Sequence, residues 1–165
     1  MSRVGQITIF LLALALSGCF AGFDSGKWSS AFLERGPQVK TGISAPLSAD
    51  RLAGKWGLAA YHDNKDAERT EKAARGACSQ PYVIGRGRGS TVMMHAPFAT
   101  TASEMAIKSS LGATYIGPGH ETDGTKDREV IRWDGKVLVT RYVDHHAYSI
   151  YGNMVLVSCG GGARA

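Results

Sequence analysis

Three cysteines offer the clearest chemistry in this chain, and the first of them follows an apolar run. Leu16-Ser17-Gly18 precedes Cys19, so an apolar residue stands three positions before the thiol and small residues fill the two positions between. This is the lipobox pattern. Small side chains admit the backbone to a lipoprotein signal peptidase, and only a thiol can be converted to a diacylglyceryl thioether. We therefore predict cleavage before Cys19 and lipidation of that residue.

The segment before the lipobox has the features of a signal peptide. Arg3 precedes an apolar run from Ile7 to Leu16, which is too short to cross a hydrocarbon core of ~30 Å as a helix. The alternative is an ordinary secretory signal cut after Ala21, with Cys19 lost. Phe20 follows the cysteine, whereas in enteric-type bacteria an Asp there retains a lipoprotein in the inner membrane. A lipid anchor in the outer membrane, facing the periplasm, is therefore predicted.

The other two cysteines, Cys78 and Cys159, are predicted to form a disulfide, because the predicted compartment is oxidising. Such a bridge would hold the end of the chain against an early part of the domain. The alternative is a pair of buried free thiols. No CxxC spacing is present, so a zinc site is not expected.

Five histidines raise the question of a metal ion. His145 and His146 are adjacent, so in a strand they would point to opposite faces. His120-Glu121-x-Asp123 is a better local cluster, which Asp144 could join, but solvated loop residues are the favoured interpretation. No metal and no other cofactor is predicted.

Catalysis and nucleic-acid binding are not indicated. No Gly-x-Ser-x-Gly elbow is present, and nothing selects a Ser-His-Asp set, so no catalytic residue and no enzyme are predicted. The formal net charge is +5, and removal of Arg3 lowers it by one. The basic residues are dispersed without interleaved aromatic residues, which argues against nucleic acid and leaves anionic surfaces as partners.

Strand patterns with turn signals between them dominate the chain after residue 50. Asp134-Gly135 separates two β-rich runs, Glu129–Trp133 and Lys136–Val143, and predicts a hairpin. A second hairpin is predicted from Tyr148–Tyr151 and Met154–Cys159, with Gly152-Asn153 at its turn. Together these signals favour a mainly-β meander, either a barrel or a sandwich.

Two segments have helical patterns. Asp66 to Gly76 carries i,i+4 charge pairs with almost no apolar face, which predicts a solvated surface helix or a loop. Thr101-x-x-Glu104 resembles a capping box and predicts a helix from Ala102 to Ser110.

The chain is divided into three predicted parts. Residues 1–18 form the signal peptide, residues 19–50 form a lipidated flexible tether, and residues 51–162 form one folded domain. Glycine, serine and proline interrupt any apolar period in the tether, so it buries too little apolar area to offset the entropy of ordering it.

The stretch from Leu52 to Ala59 resembles the start of the first strand in lipocalins, whose signature is Gly-x-Trp. The resemblance implies a small antiparallel β-barrel of about 7–8 strands with one or two short helices. It also implies that Trp56, after Gly54, plugs one end, with an arginine of a late strand across it. Arg141 is the first counterpart and Arg132 the second.

The same opening also resembles small β-barrel inhibitors of bacterial metalloproteases, some of which are lipoproteins, although their cysteines lie closer together. We expect a barrel that binds a small apolar or amphipathic ligand. The alternative is a protein-interaction module, such as a protease inhibitor or an envelope-assembly accessory lipoprotein. The candidate residues that would line a ligand cavity are Tyr61, Tyr82, Met93 and Tyr142. The alternative is that these side chains only pack in the core. The wider set that could line a cavity is Tyr61, Tyr82, Tyr115, Tyr142, Tyr148, Tyr151, Met93, Met94 and Met154.

Overall fold

The computed structural model describes residues 41–122 and 124–160. The predicted signal peptide, Cys19 and most of the predicted tether lie outside the described residues, as does Asp123 of the candidate metal cluster. Within those two ranges, no helix combines the length and the apolar character needed to cross a membrane.

Eight antiparallel strands form a closed barrel, which confirms the predicted fold class. A short strand, β1 (Gly42–Ile43), precedes them and pairs in parallel with the sixth barrel strand, β7. Each barrel strand pairs with the next along the chain, and the last pairs with the first over six residue pairs, so the sheet closes without a free edge. The barrel strands are β2 (Gly54–Tyr61), β3 (Tyr82–Arg86), β4 (Val92–His95), β5 (Ala102–Ser110), β6 (Ala113–Gly117), β7 (Arg128–Trp133), β8 (Val137–Tyr142) and β9 (Asn153–Ser158).

Alternate side chains of each strand point into the barrel. Most of these inward-facing side chains are apolar. Trp56 of β2 and Trp133 of β7 meet there, with ring centroids 6.0 Å apart. These two rings and the large aliphatic side chains fill one half of the interior. The buried core comprises Ala49, Leu52, Trp56, Ile84, Val92, Met94, Met105, Ile116, Val130, Trp133, Leu138 and Leu156.

A short helix, α1 (Ala49–Leu52), covers this filled end of the barrel, which we call the α1 end. Trp56 Nε1 donates to the Leu52 carbonyl oxygen at 2.8 Å, and Trp133 Nε1 donates to that of Pro46 at 3.1 Å. Both indole N–H groups are therefore satisfied by the segment that precedes β2. The folded part of the chain begins by Gly42 rather than at residue 51, because this segment supplies a lid for the core.

A second helix, α2 (Ala67–Gly76), lies on the outer face of the barrel, so the predicted surface helix is confirmed. It buries Thr70 and Ala74 against β2 and β9. A Cβ atom at Gly57 of β2 would lie 1.9 Å from the Ala74 carbonyl oxygen. Only glycine lets helix and strand approach this closely. The outer cluster beneath α2 comprises Tyr61, Ala74, Val137, Val139, Val155 and Val157.

The helix predicted from Ala102 to Ser110 is wrong, because that segment is strand β5. Glu104, taken as part of a capping box, binds across the sheet instead. Its carboxylate accepts from the Arg88 backbone N–H at 2.6 Å and from the Thr91 hydroxyl at 2.7 Å. These contacts are distant in sequence and available only once β4 and β5 pair.

The second predicted hairpin is also wrong, because residues 145–151 form helix α3 (His145–Tyr151) and not a strand. Asp144 begins this helix, since its side chain accepts from the Ala147 N–H at 2.7 Å. Gly152, at φ +61°, ends it and leads directly into β9. Helix α3 is therefore the connection between β8 and β9.

Cys78 and Cys159 are joined by a disulfide, as predicted. Cys78 lies in a 3₁₀ turn that follows α2, and Cys159 follows β9 directly. The Cys159 N–H also donates to the Lys55 carbonyl oxygen at 3.0 Å. The bridge thus connects the outer helix to the strand pair that closes the barrel.

Candidate ligand-binding site at the α3 end of the barrel

The barrel interior changes character toward the end where α3 lies, which we call the α3 end. Along the inward-facing positions of β2, Trp56 is buried, Leu58 is half-buried and Ala60 is exposed. On β9, Leu156 is buried but Met154 is only half-buried. Ser103, which pairs with the inward-facing Met94, is exposed. Solvent therefore reaches inward-facing side chains at this end.

Arg128 is the charged residue inside the barrel at the α3 end. It is the first residue of β7, lies opposite Tyr142 of β8 and is 2% exposed. Its Nη2 donates to the Tyr142 hydroxyl at 2.8 Å and to the His95 carbonyl oxygen. Its Cζ lies 4.7 Å from the centroid of the Tyr142 ring. Residues of strands β4 and β8, which do not pair with each other, thus hold the guanidinium in place.

Two buried polar atoms in this part of the interior have no hydrogen-bond partner among the described residues. They are Nη1 of Arg128 and Oγ1 of Thr140. Thr140 lies on β8 opposite Val130, one inward-facing position from the Arg128–Tyr142 pair. Unsatisfied buried polar atoms are uncommon and costly in folded proteins. Both atoms belong to inward-facing residues of the paired strands β7 and β8, which points to a polar group that these strands do not supply.

Aromatic side chains connect Arg128 to the surface. The Tyr142 ring lies 5.4 Å from the Tyr151 ring, which lies 5.7 Å from Phe98. Phe98 also contacts His146, at 5.4 Å. We call Phe98, His146 and Tyr151 the aromatic cover. Phe98 is 56% exposed and has φ +62°, a conformation that a residue with a large side chain seldom adopts.

The electrostatics of the site follow from burial. Desolvation raises the pKa of the Tyr142 hydroxyl, and the positive charge of Arg128 opposes part of that rise. Tyr142 is therefore protonated at neutral pH and accepts from Arg128 through its oxygen. Tyr82 accepts in turn from the His95 backbone N–H at 3.1 Å. The site therefore presents the buried guanidinium of Arg128 beside the protonated hydroxyl of Tyr142.

The four candidate lining residues divide between the two faces of the barrel. Tyr82 and Tyr142 point inward at the α3 end. Tyr61 instead belongs to the outer cluster beneath α2. Met93 also points outward, because its neighbour Met94 is the inward-facing, fully buried residue of β4. The prediction for Tyr61 and Met93 thus placed them on the wrong face.

Only part of the barrel-end motif lies where the resemblance to lipocalins implied. Trp56, two residues after Gly54, does fill the α1 end of the interior. Arg141 lies on the outer face, where it pairs with Glu129 at 2.7 Å. Arg132 pairs with Glu71 of α2 and with Asp134. The group packed against Trp56 is the Trp133 ring.

The histidines are dispersed. His145 and His146 lie in α3, and His120 lies in the loop between β6 and β7. Among the residues the structure describes, no three His, Cys, Asp or Glu side chains come together as metal ligands.

A cleft of about 340 Å³ lies at the opposite, α1 end. Its charged side chains, Asp50 and Arg86, form an ion pair with each other. It therefore lacks the unpaired buried groups of the α3 end. The cleft is lined by Leu47, Ser48, Ala49, Asp50, Arg86, Gly89, Ser90 and Ile107.

Sequence reasoning missed Arg128 and Thr140. The predicted strand began at Glu129 and so left Arg128 in the preceding loop. A signal was present, because Arg128 and Val130 alternate and therefore share a face of the strand. A basic residue that lies two positions from an inward-facing valine on the same strand indicates a buried charge.

Comparison of the chain with protein-family models, with curated proteins and with solved structures finds no match.

Proposed function

We propose that this chain is a lipoprotein whose barrel binds a small amphipathic ligand through the α3 end. Cys19 carries the lipid anchor, and the barrel faces the periplasm from the outer membrane. The lipobox, the signal-like segment before it and Phe20 after it support this location. The Gly-x-Trp resemblance to lipocalins is in keeping with a binding role.

The observation that carries the proposal is the contrast between the two halves of the interior. At the α1 end, Trp56, Trp133 and Leu138 are 2%, 0% and 0% exposed. At the α3 end, inward-facing Leu58 and Met154 are half-buried. Met154 lies opposite Thr140, which is on the strand that also carries Tyr142 opposite the buried Arg128. A concave apolar surface with a few fixed polar groups is typical of small-molecule sites. The apolar part of a ligand would cover Leu58 and Met154.

Native mass spectrometry tests the proposal on the full chain, extracted from its own membranes in a mild detergent. We expect a discrete additional mass that is lost on denaturation. Leu58→Trp would occupy the space that the apolar part of the ligand needs and would abolish the additional mass. Val83→Trp is the matched control, because Val83 is 56% exposed on the adjacent strand β3.

The control should retain the additional mass. A bare polypeptide mass for the wild-type protein, or equal retention by Leu58→Trp and Val83→Trp, would contradict ligand binding in the barrel.

A protein-interaction module is the second candidate. Phe98 and Ile150 are 56% and 52% exposed at the α3 end, and large exposed apolar side chains often mark interaction surfaces. The packed α1 half of the barrel also agrees with a scaffold that presents loops. A bare mass together with a functional loss in Phe98→Ser and Ile150→Ser would favour this candidate.

A further inference from the structure

Arg128 is a buried cation that lacks a counter-charge among residues 41–122 and 124–160. A guanidinium stays protonated at every accessible pH, and an unpaired buried charge is strongly unfavourable. None of the ion pairs formed among the described residues includes Arg128. Elsewhere the same barrel buries Lys108 directly against Asp127. The missing counter-charge at Arg128 is therefore particular to the α3 end.

The hydrogen-bond donors that have no acceptor at the site define the chemical group that a ligand would have to supply. Nη2 of Arg128 already serves Tyr142 and the His95 carbonyl group, whereas Nη1 is free. The Thr140 hydroxyl, on the same inner face, is also without a partner. One charged donor and one neutral donor match the two oxygens of a single carboxylate. A phosphate, with more oxygens and up to two charges, would leave acceptors unsatisfied here.

We infer that the ligand is a monocarboxylic acid with an apolar body, whose carboxylate binds Arg128 Nη1 and the Thr140 hydroxyl. This inference rests on the proposed function. The apolar body lies against the half-buried, inward-facing side chains of Leu58 and Met154. Because Nη1 is enclosed, the covering side chains must shift as the ligand enters, and the aromatic cover over Tyr142 is the exposed element that can do so.

Three eight-carbon probes separate the head groups: octanoate, 1-octanol and octyl phosphate. Each is titrated against the full chain in lipid nanodiscs, with empty nanodiscs as the blank. Octanoate labelled with ¹³C at its carboxyl carbon reports its own ionisation by NMR. We expect octanoate to bind at least about tenfold more tightly than 1-octanol, because charge-assisted hydrogen bonds contribute only to the acid. The bound carboxyl group should also titrate below the free acid.

Variants identify the residues. Arg128→Met should weaken octanoate binding by about tenfold or more and should weaken 1-octanol binding much less. Thr140→Val, which keeps the shape of the side chain, should weaken octanoate binding by about fivefold. Arg141→Met is the matched control, since Arg141 lies on the outer face of the same strand as Thr140. It should bind octanoate as the wild type does.

The outcomes separate this inference from the proposed function. Equal affinity for octanoate and 1-octanol, tighter binding of octyl phosphate, or unchanged octanoate binding in Arg128→Met would overturn the carboxylate site and leave ligand binding intact. If Arg128→Met does not fold, Thr140→Val and the titration of the bound ¹³C carboxyl group decide the matter. Absence of binding for all three probes would contradict the proposed function itself.

Discussion

Lys108 Nζ lies 2.7 Å and 2.9 Å from the two carboxylate oxygens of Asp127, and these side chains are only 4% and 1% exposed. Lys108 also donates to the carbonyl oxygens of Pro118 and Glu121. The Gly124 N–H donates to the second oxygen of Asp127 at 3.1 Å. The pair therefore fastens the loop between β6 and β7 to strand β5.

Breaking this pair should destabilise the barrel strongly. Lys108→Met leaves the Asp127 carboxylate buried without its partner, which is expected to cost about 3–5 kcal/mol of unfolding free energy. Urea denaturation followed by circular dichroism measures the change. Lys136→Met, at an exposed turn position, should alter stability by less than about 0.5 kcal/mol. Similar losses in both variants would show that the buried pair is not responsible.

Gly57→Ala should destabilise the protein because the new methyl group collides with the Ala74 carbonyl oxygen of α2. Overpacking of this kind costs about 1–3 kcal/mol. Gly76→Ala, at the last residue of α2, meets no atom within 4 Å and should be neutral or stabilising. Thermal unfolding of both variants checks the contrast. A tolerated Gly57→Ala would disprove the close approach of helix and strand.

Glu104 should titrate with a pKa of about 2, well below the ordinary value for glutamate. The side-chain hydrogen bond with Arg88 is the largest cause, followed by those from Thr91 and the Arg88 backbone. Because the folded-state pKa is lowered, the stabilisation is present above the unfolded-state value near 4.5 and is lost as pH falls toward 2. Carboxyl ¹³C NMR measures this titration directly. Arg88→Met should raise the pKa, and an unchanged value would contradict the assignment.

The disulfide should contribute about 4 kcal/mol, since it closes a loop of 81 residues. Cys78→Ser with Cys159→Ser should lower the urea midpoint relative to the wild type. Reduction of the wild-type protein should lower it to the same value. Non-reducing peptide mapping should recover the two cysteines in one linked peptide, and alkylation of both in protein made in the periplasm would refute the bridge.

Cys19→Ser should abolish lipidation and leave an unprocessed precursor, because a hydroxyl cannot form the thioether. Metabolic labelling with palmitate and membrane fractionation check this. Ser17→Ala is the control, since alanine is also small enough for the lipobox and should be processed normally. Membrane anchoring of Cys19→Ser through an attached acyl chain would contradict the proposed anchor.

The barrel was predictable where the signals are local. Asp134-Gly135 predicted the β7–β8 hairpin, and the structure shows why. The Asp134 side chain accepts from the backbone N–H groups of Lys136 and Val137, and Gly135 adopts φ +90°. Neither feature needs the rest of the chain.

The failures share a dependence on distant residues. Thr101 and Glu104 form a local capping pattern, but pairing of β5 with β4 and β6 overrides it. In residues 145–151 the reverse occurred, because strand-like residues follow an Asp144 cap and form a helix.

The candidate site was predictable only in part. Tyr82 and Tyr142 were identified by residue type, but type alone does not reveal the face on which a side chain lies. A shift of one residue exchanges Met93 for Met94, and the register of the barrel decides between them. The burial of Arg128 could not be predicted without the same register, because it is evident only when Arg128 is aligned with Tyr142.

The pairing of β2 with β9 has a consequence for how the molecule forms. Six residue pairs join the first barrel strand to the last, so the barrel cannot close before β9 is available. Contacts so far apart in sequence slow folding. A chain in which β9 has not yet docked therefore holds β2 without its partner and needs protection from aggregation.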